Sequence, residues 1–371
     1  EYNFFLNKTV KLILIFYLYL IFNSIISENF SIGVLRNFGF FRLIILFFAF
    51  NYFFYHKSFF NKILIIWAFT LLALSIDVYI ESYTGTNIFG YGEQYGKRIV
   101  SFFKDEPIAG GYISAFYLII IGYLFSLSHK FSSNYKYLIL LVSLFFLWAI
   151  LLTGERSNSI KAIFGFFIFY FINDQFKINE KLISVLLIFV LIGSLINTSD
   201  YIKTRYKSEL IDPIVYVYQS KKADLSTRKF RKSFEPSFLI KYYELYKSGF
   251  SVFKDYPFFG AGNKNYRHVT CIEDRNPNYV CTTHPHQVYF EFLAEHGFIG
   301  TTIILFILFS LVFSKLKIIF QSKNYIQIGS FIFLLISFMP LLPSGAFFAD
   351  YNLTIFWLNL SLMYSVNNKT N

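Results

Sequence analysis

Residues 283–300 read THPHQVYFEFLAEHGFIG, and residues 301–313 continue as TTIILFILFSLVF. The first stretch holds three histidines and two glutamates, and the second holds no charge. An ionisable side chain in hydrocarbon is costly and marks function where it occurs. Titratable groups gathered where an uncharged run begins therefore belong to a membrane edge.

The rest of the chain agrees. Of 371 residues, 55% are hydrophobic and 15% charged, against about 25% charged in an average soluble domain. Mean hydropathy is +0.49. Apolar segments fall near 10–27, 38–55, 62–80, 108–128, 137–152, 158–172, 182–198, 287–313, 325–342 and 352–366. Several approach the roughly 20 residues that cross a bilayer. Lipid admits only backbones whose hydrogen bonds are satisfied internally, so the expected fold is all-α, a polytopic transmembrane bundle of about 10 spans. The sequence opens on Glu1 without a signal-peptide cleavage pattern, which leaves room for helices ahead of it. Phe (51) and Tyr (29) accompany much Ile, Asn and Lys, a sign of codon bias more than of sugar stacking. The net charge of +12 is spread over separate loops, which argues against nucleic acid and suits anionic lipids or lipid phosphates.

Threading from an inside N-terminus puts Lys8, Lys11, Lys57, Lys62, Lys130, Lys136, Lys177, Lys181, Lys315, Lys317, Lys323 and Lys369 on one face. Only Glu1, Asp174 and Glu180 oppose them there. By the positive-inside rule that face is cytoplasmic. The expected organisation is N-terminal transmembrane helices over 1–198, a periplasmic loop over 199–286 and C-terminal transmembrane helices over 287–371, all in one integral membrane domain. The outer face then carries residues 81–107, the turn TGERSN at 153–158, and the long loop. A connection that long is uncommon without a function. Both cysteines, Cys271 and Cys281, lie in it. An oxidising compartment makes a disulfide the expectation. The alternative is zinc held by Cys271, Cys281, His284 and His286, although the gap between the cysteines exceeds the usual spacing of structural sites.

On one straight helix over 286–300, His286 and Glu295 lie on opposite faces, about 900° apart at about 100° per residue. They cannot pair, whereas Gln287, Glu291 and Glu295 share a face through i, i+4 spacing. Gly297 and Gly300 permit close packing or a bend. A neutral His286 could accept a proton from a hydroxyl near neutral pH, or simply be an interfacial histidine held by a carbonyl. His284, across Pro285, is expected to point elsewhere. Arg156, in LLTGERSNSI, could clamp phosphate oxygens bidentately or anchor a turn at the headgroups. Arg98 is a similar candidate in YGKRIVSFFKDEPIAGG. Residues 238–254 read as an amphipathic helix with a stripe of Leu239, Tyr242, Tyr243, Tyr246, Phe250 and Phe253. PFFGAGNKNYR follows as a Gly-rich turn carrying Lys264 and Arg267.

KDYPFFGAGNKNY (254–266), THPHQVYFEFLAEHGFIG and LLTGERSN (151–158) together resemble the O-antigen ligase and O-antigen polymerase family of bacterial envelope membrane proteins. His286, Glu295, Gly297 and Gly300 fill the family's motif positions. Gln287 stands where Asn is usual. Tyr242, beside Lys241, stands where an arginine often opens the helix, so Lys241 or Arg267 would supply that charge.

The resemblance implies a GT-C-like glycosyltransferase of the inner (cytoplasmic) membrane, acting on the periplasmic side without a cofactor. It would transfer a glycan from an undecaprenyl-diphosphate carrier to a hydroxyl acceptor. Arg156 and His286 would be catalytic, with Arg98, Lys241, Arg267, His284 and Glu295 binding substrate. The expected partners are the lipid-linked glycan, membrane lipids, and lipid A-core or a growing glycan as acceptor. Ligation of O-antigen to lipid A-core is the leading expectation and repeat-unit polymerisation the alternative. A transporter or flippase of lipid-linked glycans is a third reading, opposed by spans that carry little midplane charge.

Overall fold

Among the described residues, each of the ten apolar segments overlaps a helix in the computed structural model of the chain. The structure describes residues 7–54, 57–92, 98–104, 106–128, 134–196, 200–215, 238–272 and 276–365. Lys130, Lys369 and the middle of the long loop, 216–237, lie outside the described residues. In chain order the helices are α1 (Lys8–Ile25), α2 (Phe30–Gly39), α3 (Phe41–Phe53), α4 (Lys57–Thr84), α5 (Ala109–Leu127), α6 (Tyr135–Leu152), α7 (Arg156–Ile172) and α8 (Ile178–Ile196). A short α9 (Asp200–Lys203) runs into a π-helical segment, Thr204–Ile211. Then come α10 (Phe238–Asp255), α11 (Tyr266–Thr270), α12 (Val288–Phe313), α13 (Leu316–Ser322), α14 (Tyr325–Ser337) and α15 (Asp350–Ser365). Among the described residues there is no strand, and one isolated bridge joins Thr86 to Gly92.

Seven stretches are long and apolar enough to cross a membrane: Lys8–Ile25, Phe30–Phe53, Phe59–Thr84, Ala109–Leu127, Tyr135–Leu152, Ile178–Leu195 and Val288–Ser322. The helices α7, α14 and α15 are shorter, at 17, 13 and 16 residues. The chain is an all-α polytopic membrane protein. The second span begins at Phe30 and not near 38 because polar residues hide its first turns from a hydropathy reading. Asn29 caps α2 by accepting from the Ile32 N–H, and buried Asn37 donates to the Leu20 carbonyl at 2.6 Å.

The chain divides into two units. One comprises residues 51–237, 318–337 and 362–371, with α5 at its centre, buried along most of its length. Helices α5 and α14 approach closely through small residues. A Cβ on Gly122 would meet the Tyr325 carbonyl oxygen at 2.3 Å, and one on Gly329 the Leu118 carbonyl oxygen at 2.5 Å. Such small-residue contacts let helix backbones pack tightly in lipid. At one end of this unit Lys136 pairs with Glu180 at 2.7 Å and Lys323 pairs with Asp174. Glu180 and Asp174, two of the three acidic residues placed on the lysine-rich face, are thus ion-paired to lysines of that face, and Glu1 lies outside the described residues. The Gly154 turn lies at the other end, because α6 starts beside Lys136 and finishes there.

The other unit comprises residues 1–50, 238–317 and 338–361. Its core includes Trp357, packed against Phe40 and Phe47 with ring centroids 5.2 and 6.1 Å away. A second cluster gathers Val252, Ala261, Tyr266, Val269 and Ala294. The amphipathic helix is confirmed as α10, but its most buried side chains differ from the expected stripe. Leu245, Ser248 and Val252 face inward, whereas Tyr243 and Phe250 are exposed. Polar Ser248 is buried because it bonds Tyr266 at 2.6 Å, which a count of apolar residues does not register.

Candidate functional site

His286 does not belong to the helix that follows it. The helix begins at Val288, and Gln287 is its N-cap, with Oε1 accepting from the N–H of Tyr289 at 2.8 Å and of Phe290 at 3.1 Å. Gln at this position therefore keeps the capping function of a shorter amide. His286 itself has φ 58°, in the left-handed region that a residue with a Cβ rarely adopts. That backbone is held by the Ser344 N–H, which donates to the His286 carbonyl at 2.8 Å. The opposite-face relation expected on a straight helix does not apply, because the helix starts after His286 and breaks again at Gly297.

The same left-handed turn brings the two histidines together, contrary to the expectation that His284 points elsewhere. Their ring centroids lie 4.0 Å apart. His284 is buried, and its Nε2 faces the Ser344 carbonyl at 3.2 Å. A carbonyl only accepts, so Nε2 carries the proton and Nδ1 accepts from the Thr283 hydroxyl at 2.9 Å. Burial, then the neighbouring His286, pushes the His284 pKa down to about 3. It is a fixed neutral plate under His286. His286 is half-buried, and neither of its ring nitrogens has a hydrogen-bond partner among the described residues. Burial first, and Lys241 second, hold its pKa below the ordinary imidazole value. Tyr242 stands edge-on to it, with centroids 6.0 Å apart.

Gly297 interrupts the helix with φ 63° and ψ −169°. The turn PFFGAG repairs the interruption. Phe298 and Ile299 donate to the carbonyls of Pro257 and Phe258 at 2.8 and 3.0 Å, while Ala261 and Gly262 donate to those of Ala294 and Glu295, both at 2.9 Å. The turn thus takes up two N–H groups and two carbonyls at the break, as a low-dielectric setting demands. The approach requires glycine on both sides. A Cβ on Gly297 would meet Phe258 backbone at 2.4 Å, and one on Gly260 would meet Glu295 backbone at 2.2 Å. Two buried carboxylates complete the lock. Glu295 Oε1 accepts from the Tyr266 N–H at 3.3 Å, and Glu291 accepts from the N–H groups of Phe347 and Phe348 at 2.8 and 3.4 Å. The shared face of Gln287, Glu291 and Glu295 is therefore real, and it faces backbone donors. Cys271 and Cys281 form the expected disulfide, so the sulfurs that the zinc alternative requires are bonded to each other.

In the other unit, Glu155 and Arg156 turn to different partners. Glu155 points at the start of α5, accepting from the Gly110 N–H at 2.7 Å and the Gly111 N–H at 3.1 Å. That satisfies two orphan donors and complements the helix dipole. Burial pushes its carboxyl pKa up, against the pull of Asn158, the glycine N–H groups and Arg98. Arg156 Nη1 bonds Glu209 Oε2 at 2.6 Å, and Arg205 Nη1 reaches the same oxygen at 2.8 Å. Arg98 lies in this neighbourhood, since its charge acts on both Glu155 and Tyr201.

The candidates thus fall into two sets. His284, His286, Lys241, Arg267, Glu295 and the disulfide lie in one unit, and Arg98 and Arg156 in the other. Lys241 is near enough to His286 to act on it, whereas Arg267 is exposed on α11. Arg205 and Glu209 escaped the sequence reading. Their i, i+4 spacing was the available signal, lost in a loop rich in charge.

Residues 140–305 match the family model described as O-antigen ligase. The matched segment contains Arg156, Arg205, the PFFGAG turn and the histidine motif. No curated protein matches the chain. This segment belongs to the O-antigen ligase family, which places the protein in membrane glycan processing of the ligase or polymerase type.

Proposed function

With membership of residues 140–305 in the O-antigen ligase family as premise, we propose that the protein transfers a glycan from an undecaprenyl-diphosphate carrier to a hydroxyl acceptor on the periplasmic face of the inner membrane. The preferred acceptor is lipid A-core. The observation that carries this reading is the coincidence, within the matched segment, of a paired-arginine cluster and a neutral imidazole whose ring nitrogens have no hydrogen bond among the described residues. In the transfer, the bond between the sugar anomeric carbon and the phosphate oxygen breaks. The diphosphate leaves with the electron pair, and the acceptor hydroxyl oxygen forms the new bond to carbon. Arg156 stabilises the negative charge that develops on the leaving group. His286 takes the hydroxyl proton, for which a depressed pKa keeps the imidazole unprotonated at neutral pH. His284 holds the His286 ring, and Lys241 keeps the cationic form of that ring unfavourable.

Purified protein given the lipid-linked glycan, with lipid A-core in one reaction and a second lipid-linked repeat unit in another, tests the reading. Product with lipid A-core alone supports ligation, and product with the repeat unit alone would replace it by polymerisation. No transfer to either, with movement of lipid-linked glycan across a vesicle bilayer, would replace it by transport.

A further inference from the structure

We infer that Glu209 is a displaceable counter-ion, holding the place of a phosphate oxygen between Arg156 and Arg205 until the donor's diphosphate takes both guanidinium groups from it. This rests on the assignment of Arg156 to the leaving group. Two guanidinium nitrogens from different elements converge on one carboxylate oxygen, at 2.6 and 2.8 Å. One oxygen shared by two arginines is a poor use of their donors, whose geometry suits bidentate anions.

The surroundings hold more donors than this carboxylate can satisfy. The Nε atoms of Arg98 and Arg205 and the Tyr201 hydroxyl are buried without a hydrogen-bond partner among the described residues. Buried donors without acceptors are destabilising, and native structures seldom keep several in one place without a ligand to meet them. Tyr201 lies within the electrostatic reach of Arg205, Arg98, Glu209 and Arg156 together. A diphosphate brings enough acceptor oxygens for this set, and Glu209 does not.

The anchoring separates what stays from what moves. Tyr206, next to Arg205, bonds Ser159 at 2.7 Å and the Leu151 carbonyl at 2.9 Å, which pins the segment to the turn between α6 and α7. Arg205 keeps a second bond from Nη2 to the Gly154 carbonyl at 3.2 Å and so stays in place if Glu209 leaves. Side-chain exposure is 11% for Arg156, 17% for Arg205 and 26% for Glu209, so the carboxylate is the member with the readiest way out to water. The carrier is a π-helical turn, a geometry that recurs at functional sites. With Glu155 committed to the start of α5, displacement of Glu209 frees Arg156 and Arg205 for the ligand, with Arg98 in the same neighbourhood.

The test is pyrophosphate binding to the purified full chain in zwitterionic nanodiscs. Glu209→Gln should bind roughly fivefold more tightly than wild type, the lower end of ordinary coupling between sites. Glu209→Asp, with a retracted carboxylate, should shift the same way by less, and it serves if the glutamine variant does not fold. Arg205→Gln should lose affinity. Unchanged or weaker binding by both Glu209 variants, at wild-type thermal midpoints, while Arg156→Gln abolishes binding, would overturn this inference alone. Wild-type binding by Arg156→Gln would overturn the leaving-group assignment and this inference with it. If the Glu209 variants gain only retention of anionic phospholipid, with pyrophosphate ignored, the occupant is a headgroup and the inference fails.

Discussion

The Ala261 N–H donates to the Ala294 carbonyl at 2.9 Å, in the place that the Phe298 N–H would fill in an unbroken helix. That substitution explains why a Pro-Gly turn and a distant histidine–glycine motif occur in one chain. The turn is the missing piece of the helix. It lets α12 break at Gly297 at the head of a membrane span while pairing the Phe298 and Ile299 N–H groups and the Ala294 and Glu295 carbonyls. The same docking fixes Asn263 and Asn265 against the α1–α2 corner, with the Asn263 N–H donating to Asn23 and the Asn29 N–H to Asn265, both at 2.8 Å.

Gly297→Ala should therefore be among the most damaging single changes. At φ 63° and ψ −169°, a backbone region that essentially only glycine occupies, an alanine costs about 1–3 kcal/mol before any clash, and its Cβ would sit 2.4 Å from Phe258 backbone. The expected outcome is loss of folded protein in size-exclusion chromatography. A normally folded variant would show that the turn is not rigidly docked.

Replacing Cys271 and Cys281 by serine removes the disulfide that ties α11 to the strand of chain approaching His284. Loss of a short closed loop costs about 2–3 kcal/mol. The thermal midpoint should fall while the transmembrane helices remain and transfer is reduced but not abolished. An unchanged midpoint in an oxidised sample would contradict this.

The histidine pair gives two pH responses. His284 has a folded pKa of about 3 against an ordinary value near 6.5, so the unfolded chain binds more protons between those values. Its contribution to stability is complete above about 6.5 and is lost as pH falls towards 3, which acid titration of the melting temperature would follow. His286 is also depressed, so transfer should be flat around neutral pH and decline in acid as its imidazole protonates. Lys241→Gln removes one cause of that depression and should move the acid limb to higher pH.

Much of this was legible in the sequence. The ten apolar runs and the amphipathic helix over 238–254 follow from periodicity and composition. So does the disulfide, which is the ordinary state of paired cysteines in an oxidising compartment. The break at Gly297 was only a possibility, because it depends on the Pro257 and Phe258 carbonyls and the Ala261 and Gly262 N–H groups, some 35–40 positions earlier in the chain. The close approach of the His284 and His286 rings depends on Ser344, which is further away still. Asp77 and Glu81 stand at the end of α4, where the apolar run gives no sign of their bonds. Asp77 accepts from the Ile88 N–H at 3.0 Å, and Glu81 accepts from the N–H groups of Val100 and Ser101 at 3.0 and 2.6 Å. Local pattern reports which face of an element is apolar, but it is silent on polar bonds between segments remote in sequence.

The sharpest separation of roles comes from comparing Glu295 with Arg156 and His286. Glu295 is 1% exposed and bonds the Tyr266 N–H, so its function is to hold the turn. Glu295→Gln keeps an acceptor oxygen there and should retain most of the transfer rate, with a lowered melting temperature. Arg156→Lys keeps the charge but loses the planar fork that reaches Glu209 and, by the proposal, the phosphate oxygens, so transfer should fall well below wild type with little loss of folded protein. His286→Ala removes the proton acceptor without touching the Ser344 backbone contact, and the rate should fall by about 10²–10⁴-fold. If His286→Ala and Arg156→Ala both keep near-normal transfer in a reconstituted assay while Glu295→Gln does not, the roles are reversed. The chemistry would then belong to the buried carboxylate.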